Sequence, residues 1–152
     1  MNAPTEHIAR AECAVSAADA LAFLADGLRL GRWGLGSMDT VVVAPGVVRG
    51  TSLFDGSQSY IRPVADAAAG TVTYFVGSDP VRLTPRIQAC VTPTQAGCVV
   101  ALHAQRGVDM DDARWLRLMR CHDVEILLIQ AQVAAAVLSC PPCVSTPPPT
   151  PD

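Results

Sequence analysis

Lysine is missing altogether: all 11 basic side chains are arginine. Charge of either sign is scarce, at 16% of 152 residues, and the balance is −3 with a pI of about 5.5. An acidic chain with scattered arginines has no basic stripe for nucleic acid or an anionic membrane surface. Neither is an expected partner. A basic segment followed by an apolar one is missing from the N-terminus, so no secretory signal is expected. The longest apolar stretch, Ile126 to Leu138, is broken by Gln130 and Gln132 and is too short to span a bilayer. These absences predict a soluble, cytoplasmic protein without membrane insertion, whose six cysteines stay mostly reduced. Cys13, Cys90 and Cys98 read as small core or strand residues. Half of the chain is hydrophobic, too much for a disordered one and enough to close one core.

The chain then divides by pattern. Residues 6–15 alternate loosely, as a strand does. Ser16 reads as a helix N-cap with Asp19 three residues on, and Ala20, Leu21, Phe23 and Leu24 follow at helical spacing. Gly27 is the expected C-cap. A second short helical piece runs from Leu28 to Trp33, closed by Gly34 and Gly36.

From Asp39 the pattern is β. Turn signals stand at Ala44-Pro45-Gly46, Asp55-Gly56, 66–70, 77–80 and 93–97. They separate six predicted strands: 40–43, 47–54, 57–64, 71–76, 81–91 and 98–106. Loops this short mean hairpins, hence an antiparallel meander. Pro63 and Pro85 each remove a ladder donor, which implies an edge position or a bulge. Asp109, Asp111 and Asp112 then open a long helix predicted to reach Ser139, about 40 Å. Cys140-Pro141-Pro142 stops it. Residues 1–139 form the predicted domain; 140–152, rich in Pro, Ser and Thr, are expected to be a disordered tail.

A sheet of this length needs an apolar partner for one face, and the C-terminal helix is the only element long enough. Its stripe is Trp115, Met119, His122, Ile126, Ile129, Val133 and Val137. The opposite side reads as Arg114, Arg117 and Gln132, with Arg120 at its margin. The predicted class is α+β: a curved antiparallel sheet of about seven strands around a long C-terminal helix, with two short helices after strand 1. A curved sheet gripping a helix leaves room for an apolar cavity.

Three segments carry a resemblance at this point: 15–26 from strand to helix, Leu30-Gly31-Arg32-Trp33, and the helix opening at 110–115. On them the chain resembles the START-like, or helix-grip, superfamily (SRPBCC, Bet v 1-like). It looks closest to small bacterial polyketide cyclase/dehydrase-like proteins. The resemblance covers residues 5 to about 139. It implies a hydrophobic guest, lipid-, aromatic- or polyketide-like, between sheet and helix, and in a minority of members a reaction there. Fold alone does not choose between those roles.

His122 is the most informative residue, because it sits on the apolar stripe. It is either a polar contact or acid–base group in a dry cavity, or a core histidine bonded to a neighbour, the commoner outcome. Trp115, Met119 and Ile126 share the stripe, and each can line a cavity or simply pack. Gln58, Tyr60 and Arg62 share one strand face. Turned inward, Tyr60 and Arg62 would anchor a ligand, Arg62 through a carboxylate or phenolate. Turned outward, where most arginines point, they are solvated surface. His103 and Gln105 read as a solvated face, and Trp33 as a cap on the early helices or the cavity mouth.

Cys140-Pro141-Pro142-Cys143 follows a helix C-terminus, the wrong end for a low-pKa thiolate. The three histidines are scattered, so no metal site is expected. Cys121 and His122 diverge by about 100° and make no nucleophile–base pair. No phosphate loop or dinucleotide fingerprint appears, no cofactor is implied, and no paired-carboxylate signature stands out. The expected activity is binding of a hydrophobic small molecule. A cyclase or dehydratase using the same cavity, with His122 as the best catalytic candidate, is the alternative. A co-chaperone-like interaction module is the third reading. A homodimer is compatible with all three.

Overall fold

The computed structural model describes residues 4–139. The predicted tail and its Cys-Pro-Pro-Cys motif lie outside the described residues. The element order is β1 (Glu6–Cys13), α1 (Ala17–Ala25), α2 (Gly27–Leu30), β2 (Met38–Ala44), β3 (Val47–Thr51), β4 (Gln58–Asp66), β5 (Thr71–Gly77), β6 (Thr84–Thr94), β7 (Gly97–Gln105) and α3 (Asp112–Leu138). The strands make one curved, open antiparallel sheet in the order β1-β7-β6-β5-β4-β3-β2. The predicted α+β class holds, and the reason is local chemistry. Gly46 and Gly56 take φ of 71° and 73°, conformations that favour glycine, and fold the chain back where Pro45-Gly46 and Asp55-Gly56 foretold it.

Caps set the helix starts. The Ser16 hydroxyl accepts from the Asp19 N–H, and Asp111 does the same for Arg114. Asp26 ends α1 and caps α2 by accepting from Leu28 N–H. Gly27 is therefore the first residue of α2 and not the C-cap expected of it. Two strands depart from their sequence pattern, β6 by a shift of three residues and β3 by ending early. β6 begins at Thr84, leaving Val81 in a turn, and β3 ends at Thr51, leaving Leu53 and Phe54 exposed in the next turn. Pro63 and Pro85 are on interior strands, not edges. Pro85 stands at a bulge, where the register slips between Tyr74 and Phe75. Pro63 lies beyond Ile61, where pairing of β4 with β3 ends, so no β3 partner needs its missing donor.

Pairing fixes the faces. Ile61, Tyr74, Ala89, Leu102 and Ala9 are buried on the concave side, where α1 and α3 pack. α3 buries Trp115, His122, Glu125, Ile126, Ile129 and Val133 against it. Val137, expected at the end of that stripe, is 40% exposed. Gln132, expected on the far side, instead turns to donate to the Arg32 carbonyl at 2.8 Å. By length and composition α3 could cross a membrane, contrary to the sequence expectation; here it is the helix on which the sheet closes.

Cys13 and Cys98 are direct cross-strand partners on the concave face. Burial, then the neighbouring Cys98, pushes the Cys13 thiol up to about 11, and burial raises Cys98 as well. Iodoacetamide should therefore spare both in the native protein and label them only after urea unfolding. Rapid native labelling of either, read by peptide mass spectrometry, would show that this corner opens.

Candidate functional site

Polar side chains are rare on the buried face of α3, and they are adjacent. His122 is 2% exposed and Glu125, one turn on, is 6% exposed. Helical spacing alone brings them together. The gap from His122 Nε2 to Glu125 Oε2 is 3.9 Å, too long for a hydrogen bond. Glu125 Oε1 accepts from the Leu35 N–H at 2.9 Å, which ties α3 to the segment after α2. Tyr74, behind them on β5, donates its hydroxyl to the Leu24 carbonyl at 2.7 Å. Trp33 stands edge-on to Tyr74 with ring centroids 5.7 Å apart. Among the described residues, His122 Nδ1 and Trp33 Nε1 are buried without a hydrogen-bond partner.

The electrostatics follow from burial. Loss of water lifts the Glu125 carboxyl to about 7, against the opposing pull of the Leu35 N–H. Burial, then repulsion from His7, lowers His122 to about 4, with Asp123 pulling the other way. Near neutral pH, His122 is neutral and Glu125 is poised between acid and carboxylate. Burial and then Glu125 push the Tyr74 phenol up, so it stays a donor. His7 connects the pair to the surface. Its ring lies 6.3 Å from that of His122, and its Nε2–H donates at 2.9 Å to Asp123, whose side chain is 60% exposed. A half-ionised carboxyl beside a neutral imidazole can give or take a proton, or hydrogen-bond an uncharged oxygen.

Only part of the expected set meets here. Trp33 and His122 belong to this group. Ile126 packs beside it in the core, while Met119 is half-buried on the flank. Trp115 is fully buried two turns before His122 and donates its indole N–H to the Pro4 carbonyl at 2.6 Å. Tyr60 and Arg62 flank the buried Ile61 and so point to the convex face, away from α3. His103 and Gln105 share that face by register. Glu125 was missed by the sequence reading. A carboxylate three residues after a stripe histidine, within an apolar helix, is the signal that could have found it.

Two clefts flank the C-terminal half of α3. One, of about 450 Å³, runs between Arg29, Gly31, Arg32, Met38 and Asp39 on one side and Gln132 to Ser139 on the other. Asp39 takes a φ of 52° at its rim. The second, about 280 Å³, lies between α1 and α3 and shares Arg29 and Ala136 with the first. Neither is lined by any of the seven residues expected from the sequence to contact a ligand. Among the described residues, no cluster of three or more His, Cys, Asp or Glu side chains could hold a metal.

No family model matches the sequence, and no curated protein matches it. Solved structures do. An uncharacterised protein from Bacillus thuringiensis superposes with a TM-score of 0.64 at 13% identity, over 85% of this chain and 98% of that one. The chain has the helix-grip fold. A second helix-grip neighbour is XoxI from Bacillus cereus, with a TM-score of 0.62 at 12% identity, covering 88% of this chain and 99% of the other. A third is the di-domain ARO/CYC BexL from the BE-7585A biosynthetic pathway, at 0.62 and 18% identity. There 87% of this chain matches 47% of BexL. At such identities the shared property is the helix-grip architecture.

Proposed function

We propose that this chain binds a small, mostly apolar molecule with one uncharged polar end, held between the concave sheet face and α3. The carrying observation is the unmet hydrogen-bonding capacity of His122 Nδ1, one turn from Glu125, and of Trp33 Nε1, whose ring packs on Tyr74, in an otherwise apolar core. An unsatisfied buried polar group costs about 1–3 kcal/mol, which a guest oxygen would relieve. The 450 Å³ cleft has Gly31 and Arg32, the residues just before Trp33, in its wall, and would admit the guest's body. The Gln132–Arg32 hydrogen bond would latch that opening. A carboxylate guest is disfavoured, because Glu125 would then have to stay protonated against a second buried acid.

Mass spectrometry of small molecules released from the native protein should find an apolar compound at near-stoichiometric level. Calorimetric titration should show binding of naphthol and not of naphthoate, weakened by Trp33→Phe. Absence of both the co-purifying compound and naphthol binding would sink the reading. Preference for naphthoate would move the site to Arg29 and Arg32 at the cleft mouth.

One observation favours a second reading, an enzyme of cyclase or dehydratase type. Glu125 near 7 beside a neutral His122 is an acid–base arrangement. Conversion of the bound compound to a product of altered mass, lost in Glu125→Gln, would support it. Recovery of the compound unchanged would leave binding as the function.

A further inference from the structure

Four cysteines lie among the described residues, and two of them oppose each other. Cys13 ends β1, Cys98 is the second residue of β7, and the register pairs them directly. Both side chains are buried in the core on the concave face. Directly opposed residues of antiparallel strands have Cα atoms about 4.5–5.5 Å apart. A disulfide spans about 4.4–6.8 Å between Cα atoms, so the backbone already suits one. Gly97 permits this closeness. It takes a φ of 154°, and a Cβ there would strike the Cys13 carbonyl oxygen. No other described thiol competes. Cys90 pairs with Thr71 and Ala101 and points to the convex face. Cys121 stands nine residues, about 13 Å along α3, before Gln130, which donates to the Glu12 carbonyl.

We propose that Cys13 and Cys98 are a disulfide-forming pair, oxidised by exchange with a low-molecular-weight disulfide such as oxidised glutathione, and that the bond fastens β1 to β7. One cysteine thiolate attacks the glutathione disulfide, and a mixed disulfide forms as one glutathione thiolate leaves. The second cysteine thiolate then displaces the other glutathione. The two glutathione thiols carry away the two electrons and two protons that the pair loses.

Burial sets the order of events. In the closed sheet both thiols stay protonated and out of reach. β1 is an edge strand, paired with β7 alone. The first attack therefore belongs to a state in which β1 is not yet docked, and docking delivers the second thiol. Residues 13 and 98 are 85 positions apart, so the bond removes much freedom from the unfolded chain. It also pins the root of α1, whose cap Ser16 follows three residues after Cys13. α1 is one wall of the 280 Å³ cleft.

The full chain, reduced and unfolded in urea, should be refolded in a mixture of reduced and oxidised glutathione and trapped with iodoacetamide. Peptide mass spectrometry without reductant should find Cys13 joined to Cys98 as the main link. Cleavage at Arg86 and Arg106 leaves Cys90 and Cys98 on one peptide, so Cys90→Ser makes the assignment single-valued. The oxidised chain should unfold at a higher urea concentration than the chain refolded with dithiothreitol. Held in urea with the same glutathione mixture, the chain should carry about a tenth of the link or less, because only the folded register opposes the two thiols. Absence of the link overturns the inference. So does an equal yield in urea, a link joining Cys13 or Cys98 mainly to another cysteine, or an oxidised chain no more resistant to urea than the reduced one.

Discussion

Replacing Glu125 with glutamine should stabilise the protein by about 3 kcal/mol at neutral to mildly alkaline pH, and by almost nothing near pH 4.5. The value follows from a carboxyl whose pKa rises from 4.5 to about 7 on folding, at about 1.4 kcal/mol per pH unit. Between those values the unfolded chain has released the proton and the folded chain has not. Stability therefore falls as pH rises through the window, and the loss is complete above 7. Glutamine keeps an oxygen for the Leu35 N–H and never ionises.

His122 carries the opposite slope. Its pKa falls from 6.5 to about 4 on folding, so the unfolded chain holds the extra proton between those values and stability rises with pH there. From about 4.5 to 6.5 the two slopes cancel. Unfolded, the proton of the pair sits on histidine; folded, it sits on glutamate; the count is one in both states. Wild type should be flat across that window, Glu125→Gln should rise, and His122→Leu should fall. Urea unfolding at several pH values reads all three. Parallel curves for wild type and Glu125→Gln would mean that Glu125 ionises as if exposed.

The second large effect is at Trp115. Its ring is fully buried between α3 and the sheet, and its N–H holds the Pro4 carbonyl. Trp115→Ala should cost about 4 kcal/mol from the void and the lost contacts, enough to threaten folding. Trp115→Phe keeps most of the packing and loses the hydrogen bond, about 1 kcal/mol. It should also free the chain before β1, seen as faster amide exchange at Thr5 and Glu6. A Trp115→Ala loss below about 1 kcal/mol in urea titration would contradict this account.

Much of the fold was legible because its signals are local. Ser16, Asp111 and the Pro-Gly and Asp-Gly turns act within four residues of themselves. The site is a different matter. His122 was visible on its stripe. Its relation to His7 was not, because that residue arrives from 115 positions away, and neither was the Glu125–Leu35 hydrogen bond, which spans 90. Glu125 stood one place off the apolar spacing and was not singled out. Tyr60 and Arg62 could not be assigned a side, since alternation fixes two faces without saying which is buried; the burial of Ile61 decides it. The outer side of α3 was read from its arginines, which occupy only its first half.

β1 pairs with β7, Glu6 opposite Gln105, while every other strand pairs with a neighbour in sequence. The first strand made is thus the last that can be placed. At ordinary synthesis rates Cys13 waits on the order of ten seconds for Cys98 to appear. The meander from β2 to β7 can form during that interval from short-range contacts. α3, which packs on β1, is synthesised later still. Folding of this chain should end with one slow, long-range closure that unites its two ends, and the His122–Glu125 pair loses water only at that step.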